Sequence, residues 1–373
     1  MVKFLSYIPV AFWLLCFTVS AQDSSVGQPK HSRLFSIAVT LPQVGAEQDF
    51  WQVYEQALDL AIATGIDVPG EIMFTWSNIE KRSLFGNVSY RDDAAIKLIE
   101  VLKKKGLPIV ITIAPFETMN QRIPDDLAGL PYDHPRVIKR FKAFIDWVYQ
   151  VTQGINPAAI VFGNEFDVFL AFETAQGKDL WQAIDGLVEQ TRDYVKSLAG
   201  WSDVPFAIEP TYAGLVGPSW QHLKSLNRHA DIIGVSYYPL GENTVLAPTI
   251  LGRHLMDLFR IYPDKKFDFY QYGYPSSKKI NGSLEKQRQF IEQTFKYWDK
   301  YADRIRIITF TWLYEVRQVH IDTMGSDTLR DVTPTEAFTE FLGSLGLHGT
   351  EVGDEKPAFR ELKKQLGLRQ WSR

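Results

Sequence analysis

Eight short apolar segments recur along the chain, and a helical pattern of apolar positions follows most of them. The apolar segments are residues 34–41, 71–76, 108–114, 159–164, 204–210, 232–239, 266–273 and 306–312. Gly, Pro, Asn or Asp bounds each of them, which is typical of β-strands. Helical spacing is seen in residues 50–64, 91–105, 135–152, 180–199, 284–301 and 334–345. The pattern therefore predicts strands that alternate with helices.

The spacing and number of these units predict a closed barrel. The strand starts lie roughly 25 to 50 residues apart, which is the scale of one βα unit. Alternating strands and helices favour a parallel sheet, and eight strands favour its closure into an α/β (β/α)8 TIM barrel. The alternative is an open doubly wound sheet, which usually carries a Gly-rich phosphate loop. Neither that loop motif nor a Walker A motif occurs. We therefore predict one barrel domain over residues 22–373.

The N-terminal segment has the pattern of an export signal. Lys3 precedes an apolar run over residues 4–19, and the small residues of Val19-Ser20-Ala21 suit a signal peptidase. We predict a signal peptide over residues 1–21 and a secreted or periplasmic protein without membrane attachment after cleavage; a retained N-terminal anchor is the alternative. The single cysteine, Cys16, lies in this segment, so the mature chain has no disulfide and no thiolate nucleophile.

Charge and composition exclude several classes of function. The formal charge of −4 comes without basic runs, which argues against nucleic acid or anionic membranes as partners. No H-E-x-x-H string, helical His pair or G-x-S-x-G elbow occurs, so we expect no metal, no cofactor and no serine hydrolase. Aromatic residues make up 13% of the chain and suit stacking on sugars, although cores use them too. We expect a monomer.

Polar and aromatic residues gather where the predicted strands end, which is where (β/α)8 barrels carry their active sites. The most informative string is an apolar strand that ends in Gly163-Asn164-Glu165. It places a carboxylate beside an amide at the mouth of the barrel. The alternative is that Glu165 only caps the following helix, where an acid is mildly stabilising.

Several strand-end strings together resemble one superfamily. They are Trp76-Ser77-Asn78-Ile79-Glu80, Gly163-Asn164-Glu165, Ser236-Tyr237-Tyr238-Pro239, Gln271-Tyr272-Gly273-Tyr274-Pro275 and Thr309-Phe310-Thr311-Trp312. In this combination the chain resembles the retaining glycoside hydrolases that carry catalytic glutamates on strands four and seven (clan A). The Ser-Tyr-Tyr-Pro string is similar to that of the endo-β-galactanases. The resemblance implies a β-linked oligosaccharide or polysaccharide as ligand.

The resemblance also implies roles for individual residues. Glu165 would be the general acid/base, Asn164 would bind the sugar 2-OH, and Tyr238 would orient the nucleophile. Trp312 would form the floor of the sugar subsite. Further substrate contacts are expected from Trp76, Tyr212 and Tyr274. Alternation along the sixth strand supports Tyr238 over Tyr237, because Tyr238 shares a face with small residues and Tyr237 shares one with bulky residues.

Strand seven departs from the superfamily pattern, because Gln271 stands where the nucleophilic Glu is expected. Retaining hydrolysis needs an acid and a carboxylate about 5–5.5 Å apart, and an amide is a poor nucleophile. Loss of the neighbouring carboxylate also removes a repulsion that raises the pKa of the acid. We therefore expect the pKa of Glu165 to lie closer to that of an ordinary Glu than it would beside a carboxylate at position 271.

Three explanations of Gln271 remain open. The protein is a catalytically inactive glycan-binding pseudoenzyme, or another carboxylate has taken over, or the sequence is an engineered nucleophile knockout. The candidate substitutes are Glu209, Glu315 and Glu117, with Asp167 nearby. A separation of about 6.5–9.5 Å from Glu165 would favour inversion through an activated water. A purely structural barrel is disfavoured by the polar residues at the strand ends.

Overall fold

The computed structural model describes residues 33–45, 47–83, 85–316, 318, 321–322 and 335–371. The predicted signal peptide, residues 1–21, lies outside the described residues, and so does Cys16.

The described chain forms a (β/α)8 barrel, which confirms the predicted fold class. Its parallel strands are β1 (Leu34–Ile37), β2 (Glu71–Thr75), β3 (Ile109–Glu117), β4 (Pro157–Asn164), β5 (Phe206–Ile208), β6 (Ile232–Tyr237), β7 (Lys266–Tyr272) and β8 (Ile305–Phe310). Each strand pairs with its neighbour in sequence from β2 to β8, and β8 pairs with β1. A parallel bridge between Ser36 and Val68, just before β2, closes the ring. Each of the eight predicted strand segments overlaps one of these strands, and β3, β4 and β8 extend beyond the predicted bounds.

Helices surround the strands. They are α1 (Phe50–Thr64), α2 (Trp76–Ile79), α3 (Asp93–Lys105), α4 (Pro135–Val151), α5 (Phe166–Ala175), α6 (Trp181–Ser197), α7 (Tyr212–Val216), α8 (Trp220–Leu226), α9 (Leu251–Ile261), α10 (Leu284–Lys300), α11 (Glu336–Leu342) and α12 (Pro357–Leu368). Local sequence sets their ends. The side chain of Asp92 caps the first turn of α3, and Gly106 ends it in the left-handed conformation. None of the helices in the described ranges is long and apolar enough to cross a membrane.

The alternation of each strand divides its side chains between two cores. Outward residues such as Phe74, Ile111 and Phe162 pack against the helices in the main core. Inward residues of the lower barrel, including Val110 and Val161, form a second, smaller cluster. This division follows from the two-residue period of a strand, in which successive side chains point to opposite faces. The small inward residues leave room for polar groups inside the barrel.

A group of polar side chains lies inside the barrel next to the smaller core. Arg306 Nε donates to Asp268 Oδ1 at 3.1 Å, and the hydroxyl of Tyr270 donates to Asp268 Oδ2 at 2.9 Å. Asp268 is fully buried, and its ion pair with Arg306 compensates its charge. The ring of Tyr270 also approaches Gly234 so closely that a Cβ at Gly234 would lie 2.8 Å from Tyr270 Cε2. Tyr270 therefore lies between the buried Asp268 and the pocket, which its side chain lines.

Candidate functional site

A pocket of about 500 Å³ opens at the C-terminal ends of the strands. Its polar lining includes Glu71, Asn78, Glu117, Thr118, Arg122, Asn164, Glu165 and Gln271. Its aromatic lining includes Tyr238, Tyr270, Trp312 and Phe338. The pocket therefore joins charged groups to aromatic faces at the position where barrel enzymes carry their chemistry.

Glu165 reaches the pocket from a strained turn at the end of β4. Gly163 and Glu165 have φ values of 67° and 47°, and Glu165 makes no side-chain cap of α5. Its carboxylate instead accepts hydrogen bonds from Ser236 Oγ and, at 3.3 Å, from Thr118 Oγ1. A left-handed conformation is uncommon for a residue with a side chain and persists where the surroundings enforce it. The described contacts thus favour a role in the pocket over helix capping.

The pKa of Glu165 is raised, and the main cause is burial of its carboxyl group. Repulsion from Glu117 raises it further, while the hydrogen bonds from Ser236 and Thr118 lower it. The expectation from the sequence considered only the missing neighbour on β7 and left out the burial of Glu165. Removal of a carboxylate from water by itself disfavours the charged form.

The β7 side of the pocket carries the amide. Gln271 Oε1 accepts a hydrogen bond from the Tyr238 hydroxyl at 3.3 Å. Tyr238 lines the pocket, whereas Tyr237 is fully buried against Phe269, Tyr272 and Phe290 in the helix layer. This matches the alternation along β6. Trp312 lines the pocket after a cis peptide bond from Thr311.

Three aromatic residues that were expected to contact the substrate lie outside the pocket. Trp76 is 0% exposed, packs against Phe141 and donates from Nε1 to Glu80 at 2.8 Å. The ring of Tyr212 stacks on His254 with centroids 4.5 Å apart. Tyr274 is 1% exposed, and its hydroxyl donates to the carbonyl of Leu246 at 2.8 Å. These contacts stabilise the fold, so we do not include the three residues in the site.

The candidate substitute carboxylates occupy three different environments. Glu117 lines the pocket and forms an ion pair of 2.7 Å with Arg122. Glu209 is 0% exposed below the pocket, where it accepts from Asn164 Nδ2 at 3.3 Å. Glu315 does not line the pocket and pairs with Lys356 instead. Only Glu117 of these three therefore faces the pocket together with Glu165.

The structure adds Glu71, which the sequence analysis did not single out. Glu71 begins β2 and lines the pocket on the same strand face as Met73 and Thr75. Burial is the main cause that raises its pKa to about 7. Thr112 Oγ1 donates a hydrogen bond to its carboxylate, and the carboxyl group of Glu209 interacts with it. The signal was present in the sequence, because a charged residue on the inward face of an apolar barrel strand is unusual.

Within the described ranges, no group of three or more His, Cys, Asp or Glu residues is arranged to hold a metal ion.

Comparison with known proteins gives structural likeness alone. No family model matches the chain, and no curated protein sequence matches it. An exo-β-1,4-mannosidase from Opitutaceae bacterium strain TAV5 is similar with a TM-score of 0.62 and 12% identity over 93% of this chain. The match covers 62% of the mannosidase chain, so this chain spans less than two thirds of that protein.

Two further similarities cover nearly the whole of the other protein. A mutant xylanase from Cellvibrio japonicus has a TM-score of 0.57 and 12% identity, over 91% of this chain and 98% of that chain. Fungal β-1,4-galactanases have a TM-score of 0.53 and 15% identity, over 81% and 89%. All three similar structures are glycoside hydrolases, and at these identities the likeness shows the shared barrel fold.

Proposed function

We propose that the chain is a clan A glycoside-hydrolase-like protein that binds β-linked oligosaccharide or polysaccharide without retaining hydrolysis. The observation that carries this proposal is the hydrogen bond from Tyr238 to the amide of Gln271 within a pocket that keeps Glu165 and Trp312. In the resembled superfamily a nucleophilic carboxylate takes the position of this amide. Gln preserves the size of the side chain and accepts the same hydrogen bond, but it brings no negative charge.

The binding groups do not depend on the missing nucleophile. The exposed face of Trp312 suits stacking on a sugar ring, and the polar lining offers hydrogen-bond partners to hydroxyl groups. Asn164 is 5% exposed, and its amide already donates to Glu209. In this proposal Glu209 orients Asn164 so that its free carbonyl oxygen faces the ligand.

The catalytic groups are incomplete. Burial holds the pKa of Glu165 above its ordinary value, so a fraction of it remains protonated and able to donate to a leaving oxygen. The double displacement also needs an anionic nucleophile that attacks the anomeric carbon. A neutral amide neither attacks readily nor offsets the positive charge of the transition state.

The second candidate function is hydrolysis with inversion, and the placement of Glu117 favours it. Glu117 lines the same pocket as Glu165, and the two carboxyl groups interact electrostatically. In that case Glu165 would protonate the leaving oxygen while Glu117 accepts a proton from the attacking water. The ion pair with Arg122 competes with this role, because it withdraws charge from the carboxylate.

A paired assay distinguishes these candidates. The mature protein and its Gln271→Glu variant would be tested on aryl β-glycosides and on β-mannan, β-galactan, β-xylan and laminarin. Binding is followed by calorimetry, and the anomeric form of each product is followed by NMR. We expect the unmodified protein to bind without cleavage and the variant to cleave with retention. Cleavage with inversion that survives in Gln271→Glu and is lost in Glu117→Gln would favour the second candidate. An absence of binding to every glycan would overturn the proposal.

We also propose that residues 1–21 direct export, so that the pocket meets glycans outside the cytoplasm. The apolar run and the small residues before Gln22 support this proposal. N-terminal sequencing of the exported protein should find Gln22 first. An exported chain that begins at Met1 would instead indicate a retained anchor.

A further inference from the structure

Two interacting carboxyl groups lie at the floor of the pocket, with Glu71 in its lining and Glu209 buried behind Glu71. Glu71 lines the pocket from β2, and Thr112 Oγ1 donates to it. Glu209 lies behind Glu71, the two carboxyl groups interact electrostatically, and Glu209 Oε2 accepts a hydrogen bond from Asn164 Nδ2 at 3.3 Å. Met73, one inward position above Glu71, is 38% exposed, so the pocket is open down to this floor.

One carboxyl oxygen at this floor has no hydrogen-bond donor among the described residues. Glu209 is 0% exposed, and among the described residues its Oε1 atom has no hydrogen-bond donor. Two neighbouring carboxylates repel each other unless a positive charge, either a proton or a cation, lies between them. A buried carboxylate without such a partner is costly, because removal of a charge from water is not compensated.

The described charged groups around this floor do not supply a positive charge to Glu71 and Glu209. The carboxyl groups of Glu117 and Glu165 act on Glu71 and raise its pKa further. Arg122 is the only basic residue among the described residues that line the pocket, and it pairs with Glu117 at 2.7 Å. Arg306, below the floor, pairs with Asp268. Without a cation, the floor retains a proton: burial raises the pKa of Glu71 to about 7 and the pKa of Glu209 well above its ordinary value.

We propose that Glu71, backed by Glu209, is the subsite for the ammonium group of an amino sugar in a β-linked glycan. This inference rests on the proposed function, because it assumes that the pocket binds a glycan. An ammonium group has three donors and a positive charge, so it satisfies the floor oxygens that now depend on a shared proton. A charge-assisted hydrogen bond is also roughly twice as strong as a neutral one, so a hydroxyl at this position would bind less tightly.

Matched ligands test the charge directly. β-1,4-Linked tetrasaccharides of glucosamine, N-acetylglucosamine and glucose differ only in the group at C2, and galactosamine and galactose form a second matched pair. Calorimetry at about pH 6.5 keeps the amines charged. We expect the ammonium sugar to bind about tenfold more tightly than its neutral counterpart. Glu71→Gln keeps the size of the side chain and should remove this difference, whereas Glu55→Gln on the exposed face of α1 should keep it.

A second measurement needs no variant and guards against misfolding of Glu71→Gln. Calorimetry of the unmodified protein near pH 7, in buffers of different ionisation enthalpy, counts the protons released on binding. An ammonium that displaces the proton shared by Glu71 and Glu209 should release a fraction of a proton per ligand. The titratable groups that face this floor are Glu117, Glu165, Tyr238 and Tyr270, with Arg122 on Glu117. The neutral tetrasaccharides contact the same groups and should release no proton.

The outcomes separate this inference from the proposed function. Equal affinities for charged and neutral sugars, or tighter binding of the neutral ones, would overturn the ammonium subsite and leave glycan binding intact. A preference for ammonium that persists in Glu71→Gln would also overturn it, because the charge would then be recognised elsewhere. An absence of binding to every glycan would remove both proposals together.

Discussion

The end of β4 and the end of β7 face the same pocket, but they present opposite kinds of group. At the end of β4 the sequence keeps an ionisable acid, Glu165, whose carboxylate Ser236 and Thr118 hold. At β7 it has a neutral amide, Gln271, which receives a hydrogen bond from Tyr238. In the retaining enzymes that the chain resembles, both positions carry carboxyl groups.

This difference shows that the two halves of a catalytic pair can be maintained by separate causes. Burial raises the pKa of Glu165, and this cause remains when the group on β7 loses its charge. The hydroxyl of Tyr238 donates a hydrogen bond to Gln271, and an amide oxygen can accept this bond in place of a carboxylate. The raised pKa of Glu165 therefore does not require a carboxylate at position 271.

The largest expected effect comes from placing a carboxyl group at the end of β7 as well as at the end of β4. Gln271→Glu should increase the rate of aryl β-glycoside hydrolysis by about 10²–10³-fold, because it restores the charge and the nucleophile. Initial rates with and without the substitution measure the effect. Gln271→Met, which adds no charge, is the control and should show no gain. Glu165→Gln in the Gln271→Glu background should abolish the gain, and a gain that survives it would exclude Glu165 as the acid.

The carboxyl group of Glu71 should make the free energy of unfolding depend on pH. Its ordinary pKa is 4.5, and its pKa in the fold is about 7. Between these values the folded state holds a proton that the unfolded state has lost. The free energy of unfolding should therefore fall as the pH rises from about 4.5 through 7. In Glu71→Gln this fall should be smaller by about 1–3 kcal/mol, as measured by urea unfolding at several pH values. Glu55→Gln should keep the original slope; an unchanged slope in Glu71→Gln would contradict the shifted pKa.

Loss of the Trp312 ring should weaken glycan binding on the side of the pocket that carries Gln271. Trp312→Ala should raise the Kd for a bound glycan roughly tenfold, because the stacking surface is lost. The matched control is Trp76→Phe, which lies in the helix layer away from the pocket. That control should lower the free energy of unfolding by about 1–3 kcal/mol and leave the Kd unchanged. If Trp76→Phe weakened binding as much as Trp312→Ala, the separation of the two tryptophans would be wrong.

The smallest effect concerns the hydrogen bond between β6 and β7. Tyr238→Phe removes the hydroxyl that donates to Gln271, and we expect the free energy of glycan binding to weaken by about 0.5–1.5 kcal/mol. Isothermal titration at one pH measures it. In the Gln271→Glu background the same substitution should cost more, because a hydrogen bond to a carboxylate is stronger than one to an amide. Equal losses in the two backgrounds would mean that Tyr238 does not act through residue 271.

The sequence by itself determined the barrel and placed Glu165 and Gln271 at its mouth. The eight apolar segments, the helix caps and the Gly163-Asn164-Glu165 string all act locally, through strand alternation and turn geometry. For the same reason alternation along β6 was enough to assign Tyr238 to the inside of the barrel. Six of the twelve helices described were predicted, and most of their ends lie within one or two residues of the observed ends, because caps and glycines mark them.

Only the tertiary structure decided which strand-end residues meet. Trp76, Tyr212, Tyr274 and Glu315 follow strands as closely as the pocket residues do, but packing turns them away. It also brought Glu71 from the start of β2 against Glu209 from the end of β5. The physical reason is that burial and electrostatic coupling depend on distance through space, so the raised pKa values of Glu71, Glu165 and Glu209 follow from the closed barrel and not from any local string.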